Sequence, residues 1–229
     1  MGGNMSILRT LYQTIYSNLI GDGAYLRIIK GCIYTLLIFL CALLAGFALA
    51  ALFTFLRTTK SRILRGFGTG VTFLMKGTPV YLGLYLWYYT FLGQLRRGEL
   101  LIAILALGIF AGGQLSDVLT RAVKKEESIR SEEVTSRARK EFLTAIVPFV
   151  TEQSLFEIKR VSCIVLQLST FVGLIGINDV AQVLITNGFR SRAPFFAIGC
   201  AILFYLVLQL ILEGIFAMLG RRLTGEEEE

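Results

Sequence analysis

The sequence predicts an all-α polytopic membrane protein with about five transmembrane helices. Composition and clustering carry this reading. Of 229 residues, 55% are hydrophobic and 17% are charged, whereas a soluble domain usually holds about 25% charged residues. The apolar residues are also gathered into blocks. The longest, Gly31–Leu56, contains no charge. A helix needs about 20 apolar residues to cross roughly 30 Å of hydrocarbon, and five blocks reach or approach that length.

Residues 1–24 mix polar and apolar side chains, with Leu8, Leu11, Ile15 and Ile20 loosely on one side. That pattern suits a short external helix lying at the membrane surface. The expected spans follow near 27–57, 66–94, 98–122, 155–177 and 193–219, within a membrane domain covering 25–220. Gly31–Leu56 is too long for the core of a cleaved leader, so it is expected to stay as a span. The second span joins Gly66–Met75 to Gly77–Leu95 across Lys76. Its late aromatic cluster, Tyr85, Trp87, Tyr88 and Tyr89, suits either the headgroup level or ordinary ring packing.

Small residues recur every four positions at Ala42, Gly46 and Ala50, and again at Gly108 and Gly112. In lipid such spacing lets helices approach closely. The substantial polar stretch near 121–141 alternates charge sign, as a solvated helix or a docking surface would. The acidic tail, 221–229, is expected in the cytoplasm.

Charge sets the orientation. Arg57, Lys60, Arg62 and Arg65 fill the first loop, and Arg121, Lys124, Lys125, Arg130, Arg137, Arg139 and Lys140 fill the third. Basic residues favour the cytoplasmic side, which places the N-terminus outside and the C-terminus inside. Since the basic residues lie between spans, they argue for orientation in a lipid bilayer and against nucleic acid as a partner.

No catalytic or metal-binding residue is expected. Histidine is absent, which removes imidazole ligands and imidazole acid–base chemistry and disfavours an intramembrane enzyme. Cys32, Cys41, Cys163 and Cys200 lie in apolar blocks without C-x-x-C spacing and read as small apolar fillers. No G-x-x-x-x-G-K-[ST] loop occurs, so ATP and Mg²⁺, if used, must be bound by a partner chain. Polar residues inside spans are costly and mark pathways by default. Gln167, Ser169 and Thr170 sit deep enough either to line one or to hydrogen-bond between helices. Lys76, Thr78 and Pro79 mark a break that would line a cavity or a helix junction. Glu157, Lys159, Arg160 and Glu213 lie near span ends, where long side chains reach headgroups or pair.

Several motifs resemble the permease subunits of polar amino-acid ATP-binding-cassette importers. Gly31-Cys32-Ile33-Tyr34-Thr35-Leu36 is similar to that family's opening G-x-x-x-T-L. Lys76-Gly77-Thr78-Pro79, followed by an aromatic run, is similar to its R-G-T-P. Gly113 to Arg121, centred on Asp117, looks like the segment where an acidic residue leaves the third span. Glu132-Glu133-Val134 falls where E-A-A is usual, and Ile146-Val147-Pro148 where I-L-P is usual. The sequence departs from the family at Glu133 and Val134, in having no glycine between Gly113 and Gly173, and at Gln167-Leu168 in place of K-D.

The resemblance implies a type I importer-permease fold. It implies a second permease chain, identical or homologous, a cytoplasmic ATPase dimer and an extracytoplasmic solute-binding protein, in a bacterial inner membrane. It implies that Glu132, Glu133, Val134 and Arg137, in a coupling loop at 121–150, dock on the ATPase. The altered loop motivates an alternative, a membrane scaffold that kept the fold and lost ATPase coupling.

Overall fold

The computed structural model describes residues 9–10, 12–92, 98–129 and 152–224. A helical lead-in ends in a π-helical turn, Tyr16–Ile20, and a 3-10 turn, Gly21–Gly23. There follow α1 (Ala24–Thr58), α2 (Arg62–Gly77), α3 (Val80–Trp87) with a π-helical extension Tyr88–Leu92, and α4 (Gly98–Ile129). The chain then forms α5 (Glu152–Leu168) with a 3-10 extension Ser169–Ile175, α6 (Val180–Arg190) and α7 (Pro194–Thr224). No strand occurs among the described residues. The expected coupling residues Glu132, Glu133, Val134 and Arg137 lie outside the described residues, as does most of the loop 121–150 and the end of the acidic tail.

Four helical stretches are long and apolar enough to cross a membrane: Tyr12–Thr58, Gly98–Lys124, Ser154–Ile175 and Pro194–Arg221. The stretch expected as a second span, 66–94, is composite. Thr78 and Pro79 are both extended, with ψ of 120° and 125°. The proline ring cannot share space with a helical carbonyl one turn back and offers no N–H. Instead, the Thr78 N–H donates to Leu74 O to close α2, and the Gly83 N–H donates to Pro79 O to open α3. Val80–Leu92 then rises about 20 Å at 1.5 Å per residue, short of roughly 30 Å of hydrocarbon. Four single helices and this broken pair account for about five crossings.

The core is organised around α1 and α4, which run parallel. Ala42 O lies 3.3 Å from a Cβ built on Gly108, and Gly46 O lies 3.2 Å from one on Gly112. Further along both helices, Thr54 Oγ1 donates to Ser116 O at 3.3 Å. These close approaches explain the small-residue spacing. A Cβ on Gly46 would sit 2.7 Å from the Ala111 Cβ, and one on Gly112 would sit 2.8 Å from the Leu49 Cβ. Around this seam Ile38, Leu84, Ile102, Leu107, Leu115, Val165 and Val172 form one buried cluster.

At the N-terminal end of α1 the lead-in is tied down by hydrogen bonds. Asp22 and Gly23 adopt left-handed backbone, φ 49° and 69°, which turns the chain into α1. Asn18 is buried; its carbonyl accepts from Asn187 and its side-chain oxygen from Ser191. Arg27 donates to Asp22 O and to the Asn187 side chain. This network fixes the lead-in against α6. Leu8 and Leu11 of the expected surface helix lie outside the described residues, while Ile15 and Ile20 are exposed.

At the far end of α3 the tyrosines pack ring on ring. Tyr88 and Tyr89 meet edge to face with centroids 5.2 Å apart, and Tyr85 stacks on Tyr89 at 6.1 Å. This is the ring packing expected for the cluster, and Tyr89 remains exposed.

Candidate functional site

The last three helices create a lateral groove. The sequence starts α6 with an N-cap: Asp179 precedes the largely apolar stretch Val180 to Leu184, and its carboxylate accepts from the N–H groups of Gln182 (3.1 Å) and Ala181 (3.3 Å). Asp179 is fully buried, and the Tyr205 hydroxyl on α7 donates to it at 3.0 Å. The neighbouring Val180 N–H donates to Thr35 Oγ1 of α1 at 3.2 Å. This cap thereby joins α1, α6 and α7. Burial is the leading influence on the Asp179 carboxyl and pushes its pKa above the ordinary value, against the hydrogen bonds that favour its charged form.

Beneath this junction lies a cavity of about 360 Å³ between the end of α5, α6 and α7. Its polar lining comes from Gln167, Thr170, Tyr205 and Gln209, set among Ala181, Ile185, Ile198 and Leu206. Gln167 Nε2 donates to Gln209 Oε1 at 3.2 Å, and Gln209 Nε2 donates to Glu213 Oε1 at 3.3 Å. Gln167 and Glu213 are exposed on the surface of the bundle. Two amides and a carboxylate therefore form a polar seam on a face whose neighbours, Ile202, Leu206 and Leu210, are exposed and apolar. Only 11% of the apolar window of α7 is buried.

The sequence-derived pathway residues divide between this groove and a second region. Gln167 and Thr170 line the groove. Ser169 points inward and donates to Leu166 O at 2.7 Å. Thr78 lines a separate cavity of about 190 Å³ with Met75, Gly83, Trp87 and Phe110. Pro79 caps α3. Lys76 makes an ion pair with Asp117 of α4, whose other oxygen accepts from Arg57 of α1 at 2.7 Å. Arg57 also donates to Ser116 Oγ at 3.3 Å. One carboxylate thus pairs with two cations, leaving the trio one positive charge in excess, and pins α1, α2 and α4 at one end of the bundle. Nearby, Arg121 pairs with Glu157 of α5. Lys159 lies 5.0 Å from the Phe156 ring centroid, within cation–π range.

Sequence reasoning did not single out Asp179, Tyr205 or Gln209. The N-cap signature marks Asp179, and Gln209 carries the same signal as Gln167, an amide inside an apolar block; Tyr205 carries no local signal. Among the described residues no group of His, Cys, Asp or Glu is arranged to hold a metal ion.

These features define a multi-pass α-helical membrane protein. Its fold is similar to that of a chain in a solved structure described as an amino acid ABC transporter with histidines. The TM-score is 0.67 at 19% identity, over 86% of this chain and 94% of that one. No family model matches the sequence. No curated protein matches it either.

Proposed function

We propose that this chain is the membrane-spanning subunit of an ATP-driven importer of polar amino acids, with the seam Gln167–Gln209–Glu213 as its share of the pathway. The seam carries the proposal. Amides and a carboxylate facing hydrocarbon are costly, so they belong against a water-filled passage or another polar protein surface. A second permease chain, identical or homologous, placed against α7 would cover the apolar flank and enclose the passage. The fold it shares with a chain of an amino acid ABC transporter, and the motifs around Lys76-Gly77-Thr78-Pro79 and Asp117, support the class of machine.

In this reading ATP and Mg²⁺ are bound by a cytoplasmic ATPase dimer. Glu132, Glu133, Val134 and Arg137 dock on it, and an external binding protein delivers the amino acid. The chain lies in a bacterial inner membrane with its N-terminus outside. ATP binding shifts the bundle only through unequal affinity of the ATPases for its two conformations. The cluster of Arg57, Lys76 and Asp117 makes three helices move together when the docked loop is displaced.

Reconstitution with the cognate ATPase and binding protein tests this. ATP-dependent uptake that falls with Glu132→Ala or Glu133→Ala supports coupling through the loop. A complex that assembles but neither hydrolyses ATP on amino-acid addition nor transports supports the scaffold alternative. Uptake by the purified chain without ATPases overturns the importer mechanism.

A further inference from the structure

We infer that the corner between α6 and α7 docks an acidic surface of a folded extracytoplasmic protein, with Arg192 as the orienting contact. The turn itself carries the inference. Helix α6 ends on Ser191; the Arg192 N–H donates to Phe189 O and the Ala193 N–H donates to Gly188 O. That is the pairing of a Schellman stop, in which the residue after the cap takes left-handed backbone and is commonly glycine. Here that residue is arginine, with φ 57°. A Cβ in this region crowds the following carbonyl, and side chains other than those of Asp and Asn rarely visit it. Asp22, the other non-glycine residue with positive φ among the described residues, is of the tolerated kind. The turn gains nothing from an arginine, so the charge and reach of Arg192 serve a contact outside it.

The corner is a fixed mount. A Cβ on Gly188 would meet the Ala197 Cβ and lie 3.2 Å from Pro194 Cα, so the last turn of α6 rests directly on the first turn of α7. Ser191 and Asn187 both bond Asn18 of the lead-in, and Arg27 bonds Asn187. Asn18 and Arg27 precede the uncharged run Gly31–Leu56, which sets the corner at the outer end of the bundle in the orientation proposed above. Arg190 and Arg192 are exposed there, and neither joins an ion pair among the described residues. Basic residues on the outer side run against the charge bias of membrane proteins. Phe189 and Phe195 beside them are 68% and 89% exposed. Arginine next to exposed aromatic rings, on a rigid backbone, is the make-up of a protein-binding anchor. Lipid phosphate accounts for it less well: long basic side chains reach headgroups from many positions, which gives no reason to hold one at a strained turn. Phenylalanine also lacks the polar atom that suits Tyr and Trp to the headgroup level. On the importer reading, on which its name rests, the partner is the solute-binding protein.

The test uses the assembled complex in nanodiscs and its cognate binding protein. Wild type binds that protein with an affinity that falls as salt rises. Arg192→Gly weakens binding by about tenfold, the effect of one lost anchor contact, yet melts at or above wild type because glycine relaxes the turn. Unchanged affinity in Arg192→Gly, with amino-acid-stimulated ATP hydrolysis intact, overturns the inference and leaves the importer reading standing. A lower melting temperature for that variant assigns the arginine to the turn and also overturns it. A wild-type complex that takes up no binding protein overturns both. A second measurement leaves the arginines in place: p-benzoylphenylalanine replacing the exposed Phe195 crosslinks to the binding protein on illumination. Crosslinks to lipid alone place the corner in the bilayer and refute the assignment.

Discussion

Gly46→Ala is the most direct probe of the fold, because the added methyl group meets rigid atoms on three sides. Its Cβ would lie 2.7 Å from the Ala111 Cβ and 3.3 Å from both Gly108 O and Gly112 N. Carbon atoms settle at about 3.5–4.0 Å, so α4 must withdraw by about 1 Å along a seam that organises the core. Overpacking of this kind costs up to about 3 kcal/mol. Alanine regains about 1 kcal/mol over glycine in helix propensity. The net expectation is about 2 kcal/mol of destabilisation, from these two effects. For a chain of this size that lowers the melting temperature by about 4–8 °C, read by intrinsic fluorescence in detergent. Gly199→Ala is the matched control: nothing lies within 4 Å of its added Cβ, so propensity alone should leave the melting temperature equal or raised. If Gly46→Ala melts with or above wild type, the backbone-to-backbone seam between α1 and α4 is wrong.

Asp117→Ala strands two cations whose side chains are 16% and 29% exposed. Loss of one partner of a buried pair costs about 3–5 kcal/mol, and partial exposure reduces this to about 2–3 kcal/mol. Adding Lys76→Met should restore part of that stability in detergent melts; a strictly additive double variant refutes the coupling. Asp179 gives a pH test. Its pKa is raised above the ordinary carboxyl value, so its contribution is fully present below the unfolded-state pKa and declines as pH rises through the folded-state pKa. The stability of wild type relative to Asp179→Asn should therefore fall with rising pH, and a pH-independent difference counts against the buried carboxyl. Gln209→Leu should keep the melting temperature near wild type and lower reconstituted uptake by roughly tenfold, about the effect of one lost polar contact; unchanged uptake removes the seam from the pathway.

The crossings were legible in the sequence because lipid demands long uncharged runs, and Gly31–Leu56 can satisfy its backbone in few other ways. Close helix approach at Ala42, Gly46 and Ala50 and at Gly108 and Gly112 was legible too, as spacing, but that these two segments meet each other was not. The division of the second span into α2 and α3 was less legible. Residues 66–75 are apolar enough to extend the next block, and only Thr78 and Pro79 mark the break between them. Lys76 read as a pathway residue because a lone cation in a span demands a role. The carboxylate that neutralises it is on α4 and becomes a neighbour only on folding. Gln167 and Thr170 were identifiable by polarity in an apolar block. Gln209 carries the same mark and was identifiable on the same ground; Tyr205 is not, since an aromatic ring in a hydrophobic helix is ordinary packing.

The parallel arrangement of α1 and α4 also governs biogenesis. Two parallel neighbours cannot meet until the chain has gone back across the bilayer and re-entered, so the longest helix waits without its principal companion while α2 and α3 are synthesised. A ribosome halted before Gly108 would leave the glycine face of α1 open to lipid and Arg57 without its counter-ion. Truncated products of this gene should therefore be recognised and degraded in the membrane, whereas a chain released soon after Asp117 should already hold its first half together.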